Sequence, residues 1–446
     1  MSRNTLIPGF AAVLLALPLG GQTAELPLGL KQAVDIAMAA DGNTRVRLAK
    51  ELIHQAQSRA AQARSALLPN VDSYLSYQDQ TRNLAAFGLQ IQIPIPGVAI
   101  PEMVGPFNTM DARASVSQSA FDFSAIRRYQ AARVGVDAAR AEDENTRNQV
   151  ADQVSRAYLA ELRAQAVVDT AKADGELAER LLRLALSQKD AGTGTGIEVT
   201  RARVQLANVQ QRQIVAENDR DRAHLQLMRA MNLKLETKLR LTDVMKYAPL
   251  ESTTLEKAME AAKSSRADLK AQLKKEENAR LTYSSVKYER LPSLAAFGDY
   301  GTIGTGFEHN HPTRVYGLSL RVPIFDGGRR DARRAESASQ MRQEGIRTND
   351  LRQQVELDVR LALDSLKAAD LLVKTAEEGL QLAEGELAQA ERRYKAGVGT
   401  SVEVTDAQNR LSRARENRVA ALFSDNLARI DLNSATGTIQ SLVGSF

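Results

Sequence analysis

Two stretches of the 446-residue chain carry residue types at spacings that can do chemistry. Gly192-Thr193-Gly194-Thr195-Gly196 has the glycine density of a loop that cradles phosphate through backbone N–H groups. It follows a helical stretch rather than a strand and lacks the lysine such loops need, so nucleotide binding is set aside. His309 and His311, in Glu308-His309-Asn310-His311, could chelate a metal from a strand. No further ligands stand near them, and a polar external turn accounts for both. With four His, no Cys and no paired acids outside helical faces, no catalytic constellation stands out, and the chain reads as a non-enzyme without a cofactor. The informative features are instead the glycine-rich turns and the long apolar-periodic stretches that lead into them.

Their placement follows from an internal duplication. A shift of 205 residues lays Ala191 to Thr200 onto Ala396 to Thr405, with seven of ten positions identical. Phe121-Asp122 matches Phe325-Asp326 at 204, and Leu67-Leu68-Pro69 matches Arg290-Leu291-Pro292 at 223, so the chain is built twice. In the second half Val355, Val359, Ala362, Leu366, Ala369, Val373, Ala376, Leu380, Ala383, Leu387, Ala390 and Tyr394 alternate spacings of four and three, the period of a coiled coil. The shift carries most of this seam to Val150, Val154, Ala157, Ala164, Val168, Ala171, Ala178, Leu182 and Ala185, with Glu161 and Gly175 as interruptions. Continuous helices over Ser124 to Ala191 and Arg329 to Ala396 would each be ~100 Å long, too long for a compact domain. Such rods are walls or spacers.

Both rods end in one turn grammar. Gly192 or Gly397 supplies a residue that can turn left-handed, and Thr195 or Thr400 caps the next helix with Glu198 or Glu403 three places on. The outcome is a tight helical hairpin, made twice. Capping is a sufficient reason for both glutamates, and Asp406 sits in the first turns of its helix, where the macrodipole favours an acid. Tyr394 continues the seam, so packing is a sufficient reason for it as well. Copies of Glu403 and Asp406 gathered around one axis would alternatively form acidic rings, which favour cations in a narrow pore.

At the opposite ends of the rods the period falls to two. Val71 to Asp79, the run around Ala112, Ala114, Val116 and Ala120, Leu294 to Tyr300, and Arg314 to Phe325 are four candidate strands in two hairpins. In the last, Tyr316, Leu318, Leu320 and Val322 share one face against Gly317, Ser319 and Arg321. Apolar-out, polar-in strands of this length suit a lipid-embedded barrel, yet four strands cannot close, and lipid tolerates no open sheet edge. The chain must then borrow strands from other copies. Thr81 to Thr109, with Pro94, Pro96, Pro101 and Pro106, is expected to be an external loop, because proline is barred from a central strand.

Composition agrees with long helices and a secreted chain. Aromatics make up 4% and Trp is absent, whereas Ala, Leu, Gln, Glu and Arg are plentiful. The net charge of +5 comes from interspersed Lys, Arg, Asp and Glu, so no basic tract suggests nucleic acid. Residues 1–24 read as a signal peptide, with Arg3, an apolar run from Leu6 to Leu19 and cleavage after Ala24. The first structural repeat is expected over 25–235 and the second over 250–446, each a helix, a strand hairpin (about 71–121 and 294–325) and a long helical hairpin (124–232 and 329–434).

Taken together, the paired tips Ala191 to Ala202 and Ala396 to Ala407, the strand-to-helix junction Phe325-Asp326-Gly327-Gly328 and the duplicated helix–hairpin–helix order resemble the TolC family of outer-membrane efflux proteins. The resemblance covers essentially all of the mature chain. It implies a mainly α fold with a membrane β-barrel: a homotrimer with a twelve-stranded barrel in outer-membrane lipid and a coiled-coil helical tunnel in the periplasm. It also implies a passive exit duct for tripartite efflux or type I secretion, docked through a periplasmic adaptor (a membrane fusion protein) to an inner-membrane pump of RND or ABC type. Tyr394 falls where the family can carry a gating Tyr, Glu198 matches a first-repeat acid, and Glu403 with Asp406 match an acidic pair. Gly399 stands where some members carry a gate Arg, which implies a looser hydrogen-bonded or hydrophobic closure here. The tips, Gly192, Thr193, Gly194, Gly397, Val398 and Gly399, are the expected adaptor contacts. The competing reading is a soluble periplasmic coiled-coil scaffold that bridges envelope layers without conducting.

Overall fold

The computed structural model describes residues 26–39, 42–88, 102–237, 239–249, 254–306 and 308–443. The expected signal peptide lies outside them, as does most of the proline-rich stretch between 89 and 101. Two rods dominate the molecule: α3 (Phe123–Asp190) and α7 (Arg329–Lys395), of 68 and 67 residues. Each folds back into a 36-residue return helix, α4 (Gly196–Met231) or α8 (Ser401–Thr436). The seam read from the 3.5-residue period is the buried one. Val355, Val359, Ala362, Leu366, Ala369, Val373, Ala383, Leu387, Ala390 and Tyr394 are buried, and Ala376 and Leu380 pack partly buried beside them. Small alanines at alternate layers let the helices approach closely. At the seam's first-repeat interruption, Glu161 is buried with its Oε1 2.7 Å from His224 Nδ1 on α4.

Ahead of each strand pair the sequence reading has one helix and the structure has two: α1 (Leu30–Met38) with α2 (Thr44–Ser65), and α5 (Leu255–Ser265) with α6 (Ala267–Tyr288). Asn43 caps α2 by accepting from the Arg45 N–H at 2.9 Å. At the second break Arg266 leaves helical geometry, and its guanidinium clamps Asp268 at 2.6 Å and Asp358 of α7 at 2.8 Å. No sequence period marks either break, because both are fixed by side-chain caps and tertiary ion pairs.

The four expected strands form one antiparallel sheet in the order β2 (Asn70–Asn83), β3 (Met103–Phe121), β5 (Ser293–Gly304), β6 (Asn310–Arg321). The first pair is longer than expected, and the Thr81 to Thr109 loop is correspondingly shorter. Pro106 therefore stands inside β3. It is tolerated because β3 pairs with β5 only from Met110 onward, and because the β2 ladder shifts register between Gln80 and Arg82, opposite the proline. A two-stranded parallel sheet was not foreseen: β1 (Leu26–Leu28) lies beside β4 (Leu239–Leu241), joining the start of the described chain to the segment between repeats. Three-residue strands are too short to show a period. Among the described residues no helix is long and apolar enough to cross a membrane.

Helix contacts set the lateral order. Toward the tips the four long helices lie α4, α3, α8, α7; toward the sheet the order is α2, α3, α6, α7. Among the described residues, α4 and α2 at one side, and α7 at the other, have no further long helix packed outside them.

Candidate channel wall and periplasmic tips

The register divides the sheet into two chemically distinct faces. Val71, Leu75, Tyr77, Tyr300, Tyr316, Leu318 and Leu320 share one face and are each at least 64% exposed in the single chain. Asp72, Tyr74, Ser76, Asp111, Arg113, Ser115, Ser117 and Asp299 share the other. On this polar face the Arg113 Nε donates to Asp111 Oδ1 at 2.7 Å, while its Nη1 lies 3.5 Å from Asp299 Oδ2 on β5. The Tyr74 hydroxyl reaches Asp111 Oδ2 at 3.4 Å. Such a sheet wants lipid on one side and water on the other.

At the far end, α3 stops at Ala191 and Gly192 takes a positive φ of 75°. The N–H groups of Thr193 and Gly194 donate back to the Gln188 carbonyl at 2.9 Å. Thr195 then starts α4, and Glu198 accepts from the Thr195 N–H at 2.8 Å in a capping box. The second tip repeats the backbone: Gly397 has φ 72°, and Val398 and Gly399 donate to the Arg393 carbonyl at 3.1 and 3.0 Å. A Cβ on Gly399 would lie 2.9 Å from the Arg393 Cβ, so the turn itself calls for glycine there.

The side chains of the two tips diverge. Thr400 accepts from the Glu403 N–H at 3.3 Å, but the Glu403 carboxylate meets Arg393 Nε at 3.3 Å. Asp406 pairs with Arg410 at 2.8 Å, and Arg410 also reaches Glu386 at 3.1 Å. Each second-repeat acid therefore has an arginine partner inside its own chain. Arg393, Arg410 and Glu386 had gone unremarked in the sequence, although Arg393 sits beside Tyr394 and repeats the position of Gln188.

Tyr394 is 7% exposed, with its ring in a cluster of Leu387, Ala390, Val404, Ala407 and Leu411. Its hydroxyl and the amide nitrogen of Gln408 are buried without hydrogen-bond partners, and both border a cavity of about 30 Å³ that Glu198 and Gln205 also line. Burial pushes the Tyr394 phenol above its ordinary pKa, and the charge of Glu198 adds to the rise. The structure thus brings Glu198 and Tyr394 to one cavity between the two hairpins. Glu403 and Asp406 lie outside it, on the surface of the second hairpin. His309 occupies the turn between β5 and β6, and His311 is in β6. Among the described residues no three His, Asp or Glu side chains gather to hold a metal.

The comparisons agree with this geometry. The model of the outer membrane efflux protein family matches residues 36–233 and 258–438. The chain is similar to the pyoverdine export outer membrane protein OpmQ of Pseudomonas putida, 24% identical over 414 residues, 92% of this chain and 85% of that one. It is also 24% identical to the alkaline protease secretion protein AprF of Pseudomonas aeruginosa, over 69% of this chain and 66%, just under two thirds, of that protein's length. The fold superposes on the outer membrane protein VceC of Vibrio cholerae with a TM-score of 0.78 at 18% identity, covering 92% of this chain and 96% of that one. The chain belongs to the outer membrane efflux protein family. It is an outer-membrane channel subunit whose rods extend into the periplasm, and the reading as a soluble scaffold is set aside.

Proposed function

We propose that three copies of the chain close one twelve-stranded barrel and one helical tunnel, forming a passive exit duct that opens at its periplasmic tip. The observation that carries this is the open sheet: among the described residues β2 and β6 are unpaired on their outer sides while one face is apolar and exposed. In lipid those edges must pair, β6 of one copy with β2 of the next. Two copies would give eight strands, whose interior side chains fill the space, so a water-filled duct needs more. Three is the number the family resemblance implies.

Internal duplication supports the same closure in the helices. Leu177 of α3 and Val419 and Ile430 of α8 are buried at the junction between repeats. Their counterparts 205 residues away, Leu382 of α7 and Ile214 and Leu225 of α4, are 68%, 68% and 46% exposed. A neighbouring copy would cover them as the second repeat covers the first.

At the tip, Tyr394 wedges the two hairpins together, while Glu198, Glu403 and Asp406 with their partners Arg393 and Arg410 form the polar closure. Opening requires the second hairpin to move off the first. Gly192, Thr193, Gly194, Gly397, Val398 and Gly399 form the exposed end offered to a periplasmic adaptor, and through it to an inner-membrane pump of RND or ABC type. OpmQ and AprF, named for pyoverdine export and for protease secretion, match at one identity, which supports a duct that leaves cargo choice to the pump. The test is purification from envelopes with and without detergent, followed by planar-bilayer recording. A detergent-dependent trimer with a steady conductance is expected; a monomer that stays soluble without detergent overturns the proposal.

A further inference from the structure

The charges of the duct are distributed in a way that separates the tip from the barrel. At the tip the second-repeat acids are already matched, Glu403 by Arg393 and Asp406 by Arg410. On the polar face of the sheet they are not matched. Three successive rows of the register hold Asp72 with Asp299, then Arg113, then Asp111: three carboxylates against one guanidinium. Rows on one face are two residues apart, so the three rows span about 14 Å along the strands.

Arg113 is built into this layer. Its register partner on β5 is Gly301, where a Cβ would fall 2.6 Å from the Arg113 Cα and 2.7 Å from its Cγ. Glycine lets the arginine stem lie across β5, and the guanidinium then reaches Asp111 in the row on one side and Asp299 in the row on the other. A long flexible cation is thereby fixed on the wall. Resting on the reading of this face as the lumen of a trimeric barrel, we propose that the barrel waist rather than the tip sets the charge preference of the duct, and that Arg113 is its specificity-determining residue. Two net negative charges per chain become six around the lumen, set in low-dielectric walls that focus the field. Cations are favoured, and Arg113 holds that preference below what the bare carboxylates would impose.

The full-length trimer in planar bilayers under a potassium chloride gradient tests this through the reversal potential. His311 shares the row of Asp111, so all recordings are made at one pH and it contributes alike to every variant. Arg113→Gln should raise the potassium-over-chloride permeability ratio by about two-fold or more, and Arg113→Lys should leave it near wild type. Asp72→Asn, which touches none of the contacts of Arg113, should lower the ratio and serves if Arg113→Gln assembles poorly. Glu403→Gln with Asp406→Asn should move it less than either. Normal channels whose ratio ignores Asp72→Asn and Arg113→Gln, or responds more to the tip pair, overturn the inference alone. Failure to form detergent-dependent channels at all, in wild type, overturns the trimeric duct beneath it.

Discussion

The hydroxyl of Tyr394 is buried without a partner while its ring fills a helix seam, and the two halves of the side chain make opposite predictions. Deleting a buried hydroxyl that has no hydrogen bond should be neutral or slightly stabilising. Deleting the ring leaves a cavity that costs about 3–5 kcal/mol locally. Thermal unfolding in detergent should therefore place Tyr394→Phe at or above wild type and Tyr394→Ala well below it. A lowered transition for Tyr394→Phe would mean that the hydroxyl finds a partner in an assembled neighbour, which would make it part of the closure chemistry. At this scale the sequence was informative about capping: Thr195 with Glu198 and Thr400 with Glu403 were readable from three-residue spacing. It was silent about pairing. That Glu403 turns to Arg393 and Asp406 to Arg410 depends on rotamers, and a run such as Arg392-Arg393-Tyr394 does not say which arginine faces the next helix.

Elements divide in the same way between what repetition announces and what single contacts decide. The long hairpins were legible because a 3.5-residue period sustained over many turns has no other outcome, and the strands because alternation of small polar with apolar residues has a period of two. The break between α5 and α6 was not, since it rests on Arg266 clamped between Asp268 and Asp358. That clamp has a pH signature. Burial alone would raise the Asp268 carboxyl, but the hydrogen bond and charge of Arg266, with the Leu269 N–H, outweigh it and hold the pKa below the ordinary carboxylate value. A folded pKa below the unfolded one contributes stability that is complete above the unfolded value, near 4, and is lost as pH falls through the folded value. Acidification below about pH 4 should therefore lower the melting transition of the wild type by more than that of Asp268→Asn, which has no such proton to take up. Equal acid sensitivity in circular dichroism melts of the two proteins would remove the clamp from the account.

For the whole molecule, the duplication turns the fold of one chain into a map of contacts it cannot make alone. Inside the chain α3 of the first repeat packs on α8 of the second, and Arg156 bonds Asp431 across that junction at 2.5 Å. Adding 205 to the first residue and subtracting it from the second gives Leu361 of α7, which is 57% exposed, and Gln226 of α4. These two lie at opposite lateral edges of one chain and cannot meet within it. In a closed ring, α7 of each copy must take the place beside the α4 of the next that α3 takes beside α8. The ion pair of the internal junction gives way to an apolar residue at the external one, as suits a contact made after each chain has folded. Because the chain has no native cysteine, the map can be tested without background. Leu361→Cys combined with Gln226→Cys should oxidise to disulfide-linked dimers and trimers on non-reducing gels, whereas each single variant should remain monomeric in denaturant. Mixing the two single variants before assembly should link copies in pairs only, because each interface then carries at most one bridge and no chain holds both partners. A disulfide confined to single chains, or none under oxidation of an intact trimer, would show that the interface between copies does not follow the interface between repeats.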